Sequence, residues 1–352
     1  MPSSEQSDIQ IRTAYRSLRE DRPWTTVFLL QLAIVICLLF WNLSWELPNY
    51  RSPAGDNTTI DGLFMHEGKD LMAHSAYKYP PYTFIQNYVV AAITRPFAKG
   101  EPIDIATTHL FASRIPATLY MFTAMLAIMV TAGLLHGRWY ALLFGAIWIL
   151  NPVILYYGHT SNVEAPSIAF LTMAICLVCL RLKNKIPAWT TAFAFVFASL
   201  SVLSKDQAAF ALILPCLVLI WKDRKFGLIG AALAPIIAFV LYSITGLDTL
   251  AKHLSTMHAI AEPFKEYSSG PIGCLLLTGL MIKQLAMQSP LLVLLFGFLV
   301  VRKCWPSPKD ILTWTCLAGA LAYLIAILFM ANRSYDRYVL PFHALGIVCL
   351  LT

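Results

Sequence analysis

Apolar and polar positions fall in long blocks along this chain, with no short alternation of the two. Apolar runs cover Thr25–Leu43, Phe111–Leu135, Tyr140–Tyr157, Ala165–Leu180, Trp189–Leu203, Ala208–Trp221, Phe226–Ile244, Ile272–Val301 and Ile311–Met330, and a last run begins at Tyr338. Runs of roughly 18 apolar residues read as bilayer-spanning helices. In lipid a helix satisfies its own backbone hydrogen bonds, so such a chain is all-α. The pattern predicts a polytopic bundle of about ten transmembrane helices. Some runs, such as Trp189–Leu203 and Ala208–Trp221, are short. Helices of that length end below the surface of a bundle and leave a wet cavity. Thr83–Phe97 is shorter and only moderately apolar, and it is expected to lie flat as an interfacial helix.

Composition agrees with this picture. The chain has 352 residues, 58% of them hydrophobic and only 13% charged, against roughly 25% charged in soluble domains. The formal net charge of +7 is therefore read as a signal of topology. Arg12, Arg16, Arg19 and Arg22 hold the tail, residues 1–23, in the cytoplasm. If Thr83–Phe97 does not cross, the later clusters all land inside as well: His136 with Arg138, Arg181 with Lys183 and Lys185, Lys222 with Arg224 and Lys225, Arg302 with Lys303. If it crosses, they all land outside. The first arrangement is adopted, and residues 44–109 become the first external loop. Lys283 interrupts Ile272–Val301, so either the first half of that run is interfacial or Lys283 faces the bundle. No basic run with interleaved aromatics points to nucleic acid. Most of the eight cysteines sit inside apolar runs. Cys176 and Cys179 form a CxxC pattern with no second pair, so no metal site is expected. The polar N-terminus followed by a full-length apolar run predicts no cleavable signal.

No other stretch of the sequence collects as many groups capable of proton or phosphate chemistry as Trp41–His109. This stretch holds Asp56, Asp61, His66, Glu67, Lys69, Asp70, His74, Lys78 and the step Tyr79-Pro80-Pro81-Tyr82. With the adopted orientation the same side also receives Arg114, His159, Glu164, Lys205, Asp206, Arg333, Asp336 and Arg337. Ionisable residues at helix ends in a membrane are costly, which makes them functional candidates. Arg114 stands where its helix enters lipid, and a carboxylate or phosphate would justify its burial. Glu164 opens a helix, where a carboxylate is also favoured simply by the helix dipole. Lys205 and Asp206 either neutralise one another or leave Lys205 facing an anion. A metal or serine hydrolase is disfavoured, since neither HExxH nor GxSxG occurs and His253 and His258 are five apart. A transporter or flippase is the alternative. It would place its binding groups near the midplane and show paired repeats, which are not evident here.

The order of several short motifs carries a resemblance. A first helix and an acidic external loop precede the Tyr-Pro-Pro step. Then come Ser113-Arg114-Ile115-Pro116, Asn151-Pro152 leading through Tyr156 and His159 to Glu164, Leu203-Ser204-Lys205, and finally Asp336-Arg337-Tyr338-Val339-Leu340-Pro341. This resembles the GT-C superfamily of membrane glycosyltransferases, in the protein-mannosyltransferase and aminoarabinose-transferase-like branch (glycosyltransferase family 39-like). The resemblance implies a GT-C-type helical bundle spanning residues 24–352, with 44–109 as the external catalytic loop, in a multi-pass protein of the inner (plasma) membrane. It implies a polyprenyl-phosphate sugar donor and a lipid, glycan or protein acceptor met on the external, periplasmic face. Asp56 matches the family's loop acid, although the adjacent Glu is absent, and Lys78-Tyr79 stands where an acidic-basic pair is usual. Asp56 is the expected general base and Glu164 the second acidic residue. Arg114, Lys205, Arg337, Lys78, Tyr79, His159 and Tyr338 are expected to bind the donor phosphate or the substrate. One base and a direct displacement imply inversion at the sugar carbon. No cofactor is predicted. The last apolar run is still in progress at Thr352, so either a short member or an incomplete chain is expected.

Overall fold

The computed structural model describes residues 23–41, 43, 79–261, 271–288, 290, 294, 311–330, 341, 342 and 344–346. Among these, every regular element is an α-helix. They are α1 (Pro23–Phe40), α2 (Tyr82–Thr94), α3 (Pro102–His136), α4 (Arg138–Ile149), α5 (Pro152–Gly158), α6 (Glu164–Leu182), α7 (Thr190–Ser204), α8 (Ala208–Lys222), α9 (Arg224–Thr245), α10 (Asp248–Ala261), α11 (Pro271–Gln288) and α12 (Ile311–Met330). Four helices, α1, α3, α6 and α9, are long and apolar enough to cross a membrane, and α7, α8 and most of α12 are shorter apolar helices. The chain is an all-α polytopic membrane protein.

The bundle is built around α6, of whose nineteen residues sixteen are buried. It packs against α3, α7 and α8, while α9 closes over α7 and α12 over α8. Small and hydroxylated side chains make the closest seam. Ser167 Oγ donates to the Ser201 carbonyl (3.2 Å) and Ser201 Oγ to the Ser167 carbonyl (2.8 Å), joining α6 to α7. With no hydrophobic drive between helices in lipid, such close, hydrogen-bonded contacts are what hold them together.

Contacts between helices fix their directions. Trp24 of α1 donates from Nε1 to the Arg138 carbonyl (3.0 Å) at the start of α4, whereas His159, just after α5, meets the Leu38 carbonyl (2.9 Å) near the end of α1. The segment α4–α5 therefore runs the length of α1. Thr118 of α3 donates to the Gly158 carbonyl (2.8 Å), and Thr131, further along α3, lies beside Cys176 of α6. So α3 and α6 run side by side in the same direction. One end of the bundle gathers Arg114, His159, Glu164 and Lys205. The other gathers Arg138, Arg181 and Asp223. At this second end Arg181 holds Asp223 through two hydrogen bonds (2.5 and 2.7 Å), Thr191 donates to the same carboxylate, and Lys222 donates to the Leu182 carbonyl. Arg181 and Thr191 together hold the Asp223 carboxyl below its usual range.

Several expected boundaries move. The run Tyr140–Tyr157 is two helices bent by 70°, where one crossing was expected. The bend falls at Asn151-Pro152. Pro152 carries no N–H to continue α4, and Asn151 Oδ1 accepts from the Val153 N–H (3.0 Å) to start α5 afresh. Because the pair connects opposite ends of α1, it is a broken span, the fifth long one among the described residues. The loop expected to reach His109 ends earlier, because α3 begins at Pro102 with a capping box between Glu101 and Asp104. At 35 residues, α3 is about 52 Å long, more than the hydrocarbon core requires. The stretch Thr245–Pro271 contains α10, and Lys283 is exposed, so it does not face the bundle.

Candidate active site

Asn162 starts the site. Its Oδ1 accepts from the backbone N–H of Glu164 (2.8 Å) and of Ala165 (3.1 Å), while its Nδ2 donates to Thr160 Oγ1 (2.5 Å). An amide thus caps α6 and leaves the Glu164 carboxylate available for another task. Lys205 lies in the turn between α7 and α8 with extended backbone angles (φ −157°, ψ 115°). Its Nζ donates to Glu164 Oε2 at 2.6 Å. Glu164 is 3% exposed and Lys205 7% exposed. The two helices around this turn are fifteen residues each, about 22 Å, shorter than a hydrocarbon core. The turn is thus recessed, and the pair lies on the wall of a small cleft lined also by Ser167, Ile168, Leu171, Ala208, Tyr323 and Pro341.

A second constellation lies at the same end. Arg114, 1% exposed, donates from Nη1 to the Leu43 carbonyl at 2.7 Å. His159 is close enough to feel the Arg114 charge. Because its partner is a carbonyl, His159 donates from Nε2. Burial lowers the proton affinity of His159 below the ordinary value, the hydrogen bonds to Leu38 and Leu39 oppose this, and the Arg114 charge adds to it. Arg114 and His159 therefore clasp the end of α1 to α3 and α5.

The structure thus brings together four of the residues singled out from the sequence. Glu164 pairs with Lys205, and Arg114 neighbours His159. Tyr79 is half-buried at the head of α2. Tyr82, which closes the Tyr-Pro-Pro step, is engaged with the core: its hydroxyl meets that of Tyr120 (2.6 Å) and its ring stands edge-on to Phe170 (5.3 Å). Asp56, Lys78, Arg337 and Tyr338 lie outside the described residues. Asp206 does not neutralise Lys205; its carboxylate meets His253 Nε2 at 3.1 Å. Sequence reasoning missed Tyr323 and Ser167 on the cleft wall. Each stands in an apolar run, where nothing distinguishes a cleft residue from a packing one. It also missed Asn162, although an Asn just ahead of a long apolar run is a helix-start signal. Among the described residues no three His, Cys, Asp or Glu side chains gather as a metal-ligand set.

The described fold and its recessed ion pair define a polytopic membrane protein with a small cleft that holds a buried ion pair at one end of the bundle. Residues 103–246 match the sequence model of the family described as dolichyl-phosphate-mannose-protein mannosyltransferase. This segment runs from the start of α3 to the end of α9 and includes Arg114, His159, Glu164 and Lys205. The match covers less than half of the chain, and over that segment the chain is similar to this family of membrane mannosyltransferases. No curated protein and no solved structure matches the chain.

Proposed function

We propose that this protein transfers a sugar from a polyprenyl-phosphate donor to an acceptor hydroxyl with inversion, on the external face of the inner membrane. The observation that carries the reading is the buried Glu164–Lys205 pair on the wall of a cleft, within the segment that matches the family. In the proposed reaction the acceptor oxygen attacks the anomeric carbon, and its proton passes to the Asp56 carboxylate. The bond from that carbon to the phosphate oxygen breaks, and polyprenyl phosphate leaves. A developing phosphate charge is best met by fixed cations in a water-poor site. Lys205, Arg114 and Arg337 take this role, and Glu164 fixes the position of Lys205. Arg337 is four residues before Pro341, which lines the cleft. Lys78, Tyr79, His159 and Tyr338 complete the substrate-binding set. The family's description makes polyprenyl-phosphate mannose the first donor to try, with a protein or glycan as acceptor. The tail 1–23 is cytoplasmic, residues 44–101 form the catalytic loop, and 24–352 act as one catalytic unit. The scheme uses no metal.

The test uses full-length protein in lipid nanodiscs, offered a panel of polyprenyl-phosphate sugars with and without a chelator. Mass spectrometry follows the release of polyprenyl phosphate. Wild type is expected to consume one donor in either condition, and Asp56→Asn to bind that donor without turning it over. If no donor is consumed by wild type, the transferase reading fails, and flipping of the same lipids in sealed vesicles becomes the reading to test.

A further inference from the structure

The turn that carries Lys205 is held from two sides. In an extended backbone, consecutive side chains point to opposite faces. Lys205 accordingly turns inward to Glu164, whereas the next residue, Asp206, turns to α10. There the imidazole of His253, 2% exposed, places Nε2 at 3.1 and 3.3 Å from the two oxygens of the Asp206 carboxylate. The position of α10 is itself fixed at its start. Gly246 takes a positive φ of 100°, and Thr249 Oγ1 donates back to the Gly246 carbonyl and meets Thr245 Oγ1 at 2.9 Å. Along α10, Thr249 and His253 face inward, whereas Leu250 and Leu254 are exposed, as is the Asp248–Lys252 ion pair. A helix divided in this way, at the end of the bundle where the cleft opens, suits the membrane surface.

From this geometry we infer that His253 is a positioning residue. Through Asp206 it latches the surface helix α10 to the Lys205 turn and so holds the Glu164–Lys205 pair at the cleft wall. The latch rests on distances alone; its effect on turnover rests on the function proposed above. A hydrogen bond to a charged group is strong enough for its loss to loosen a turn by about tenfold.

Two readouts separate the latch from the reaction. Hydrogen exchange on the whole protein in nanodiscs follows the amides of Ala208 and Ala209, which donate to the Lys205 and Asp206 carbonyls. In His253→Ala these amides exchange about tenfold faster, and in Asp206→Ala the further change His253→Ala adds nothing. Unchanged exchange overturns the latch whether or not the protein turns over a donor. With polyprenyl-phosphate mannose, or whichever donor the panel identifies, His253→Ala lowers kcat about tenfold with little change in KM, and His253→Gln, whose amide can still donate to Asp206, recovers most of it. An unchanged kcat, or equal losses in the Ala and Gln variants, overturns the positioning role. A wild type that consumes no donor sinks the proposed function, and the exchange result then decides the latch by itself.

Discussion

Glu164 and Lys205 are both buried and meet at 2.6 Å. Taking one partner of a buried pair away leaves an uncompensated charge and costs about 3–5 kcal/mol, whereas replacing both charges is far less costly. Glu164→Gln and Lys205→Met are therefore each expected to destabilise the protein strongly, and the double variant to be more stable than the sum of the two losses predicts. Thermal unfolding of the four proteins in one detergent measures this coupling, and simple additivity would show that the 2.6 Å contact contributes nothing. At this scale the sequence was informative where a charge interrupts an apolar run. Arg114, Glu164 and Lys205 stood out because lipid tolerates charge so poorly. Their partners were not legible. Glu164 and Lys205 are 41 positions apart, and only the antiparallel return of α7 brings them together. For the same reason Asp206, adjacent in sequence, was a plausible partner for Lys205 until the extended backbone turned the two apart.

At the scale of elements, apolar block length located most helices well. Ile311–Met330 is α12 to the residue, Ala165–Leu180 falls short of α6 by one residue at its start and two at its end, and Ala208–Trp221 falls short of α8 by one residue at its end. The failures have local causes. The break at Asn151-Pro152 was hidden because both flanks are equally apolar. The helix α10 was hidden because its exposed leucines and inward polar residues average to a loop-like composition. How closely two helices approach was not legible either. A Cβ at Gly319 of α12 would stand 2.8 Å from the Ala211 carbonyl oxygen of α8. Neither atom belongs to a side chain that can turn away, so Gly319→Ala must push α12 off α8. The expected loss is about 1–3 kcal/mol, read as a lowered melting temperature. Because the α8–α12 seam borders the cleft through Ala208 and Tyr323, donor turnover should fall as well. A variant with unchanged melting would mean that the two helices do not meet this closely.

For the molecule as a whole, the directions of the helices sort its charges. The chain passes from the Arg138 end to the Glu164 end through α1, returns through α3, and goes out again through the bent pair α4–α5. It comes back through α6, out through α7, back through α8 and out through α9. The basic clusters Arg181 with Lys183 and Lys185, and Lys222 with Arg224 and Lys225, therefore share one end, joined by the hold of Arg181 on Asp223. The opposite end has Glu164, Lys205, Asp206 and His253. The same sorting follows from counting apolar runs in the sequence, provided that Thr83–Phe97 does not cross, and α2, at thirteen residues, is too short to do so unaided. Absolute orientation is a prediction of the positive-inside rule: the basic end is expected in the cytoplasm, because translocating it would drag several cations through lipid. Single cysteines test this in a background whose native cysteines are replaced. At Lys185, exposed in the α6–α7 turn, a membrane-impermeant maleimide should react only when it has access to the cytoplasmic side. At Lys252, on α10, it should react in intact cells. Labelling of both positions from one side would refute the ordering of the helices. The reverse of the expected labels would keep that ordering, turn the molecule over, and put the Glu164–Lys205 cleft on the cytoplasmic face, where the donor and acceptor would have to be found.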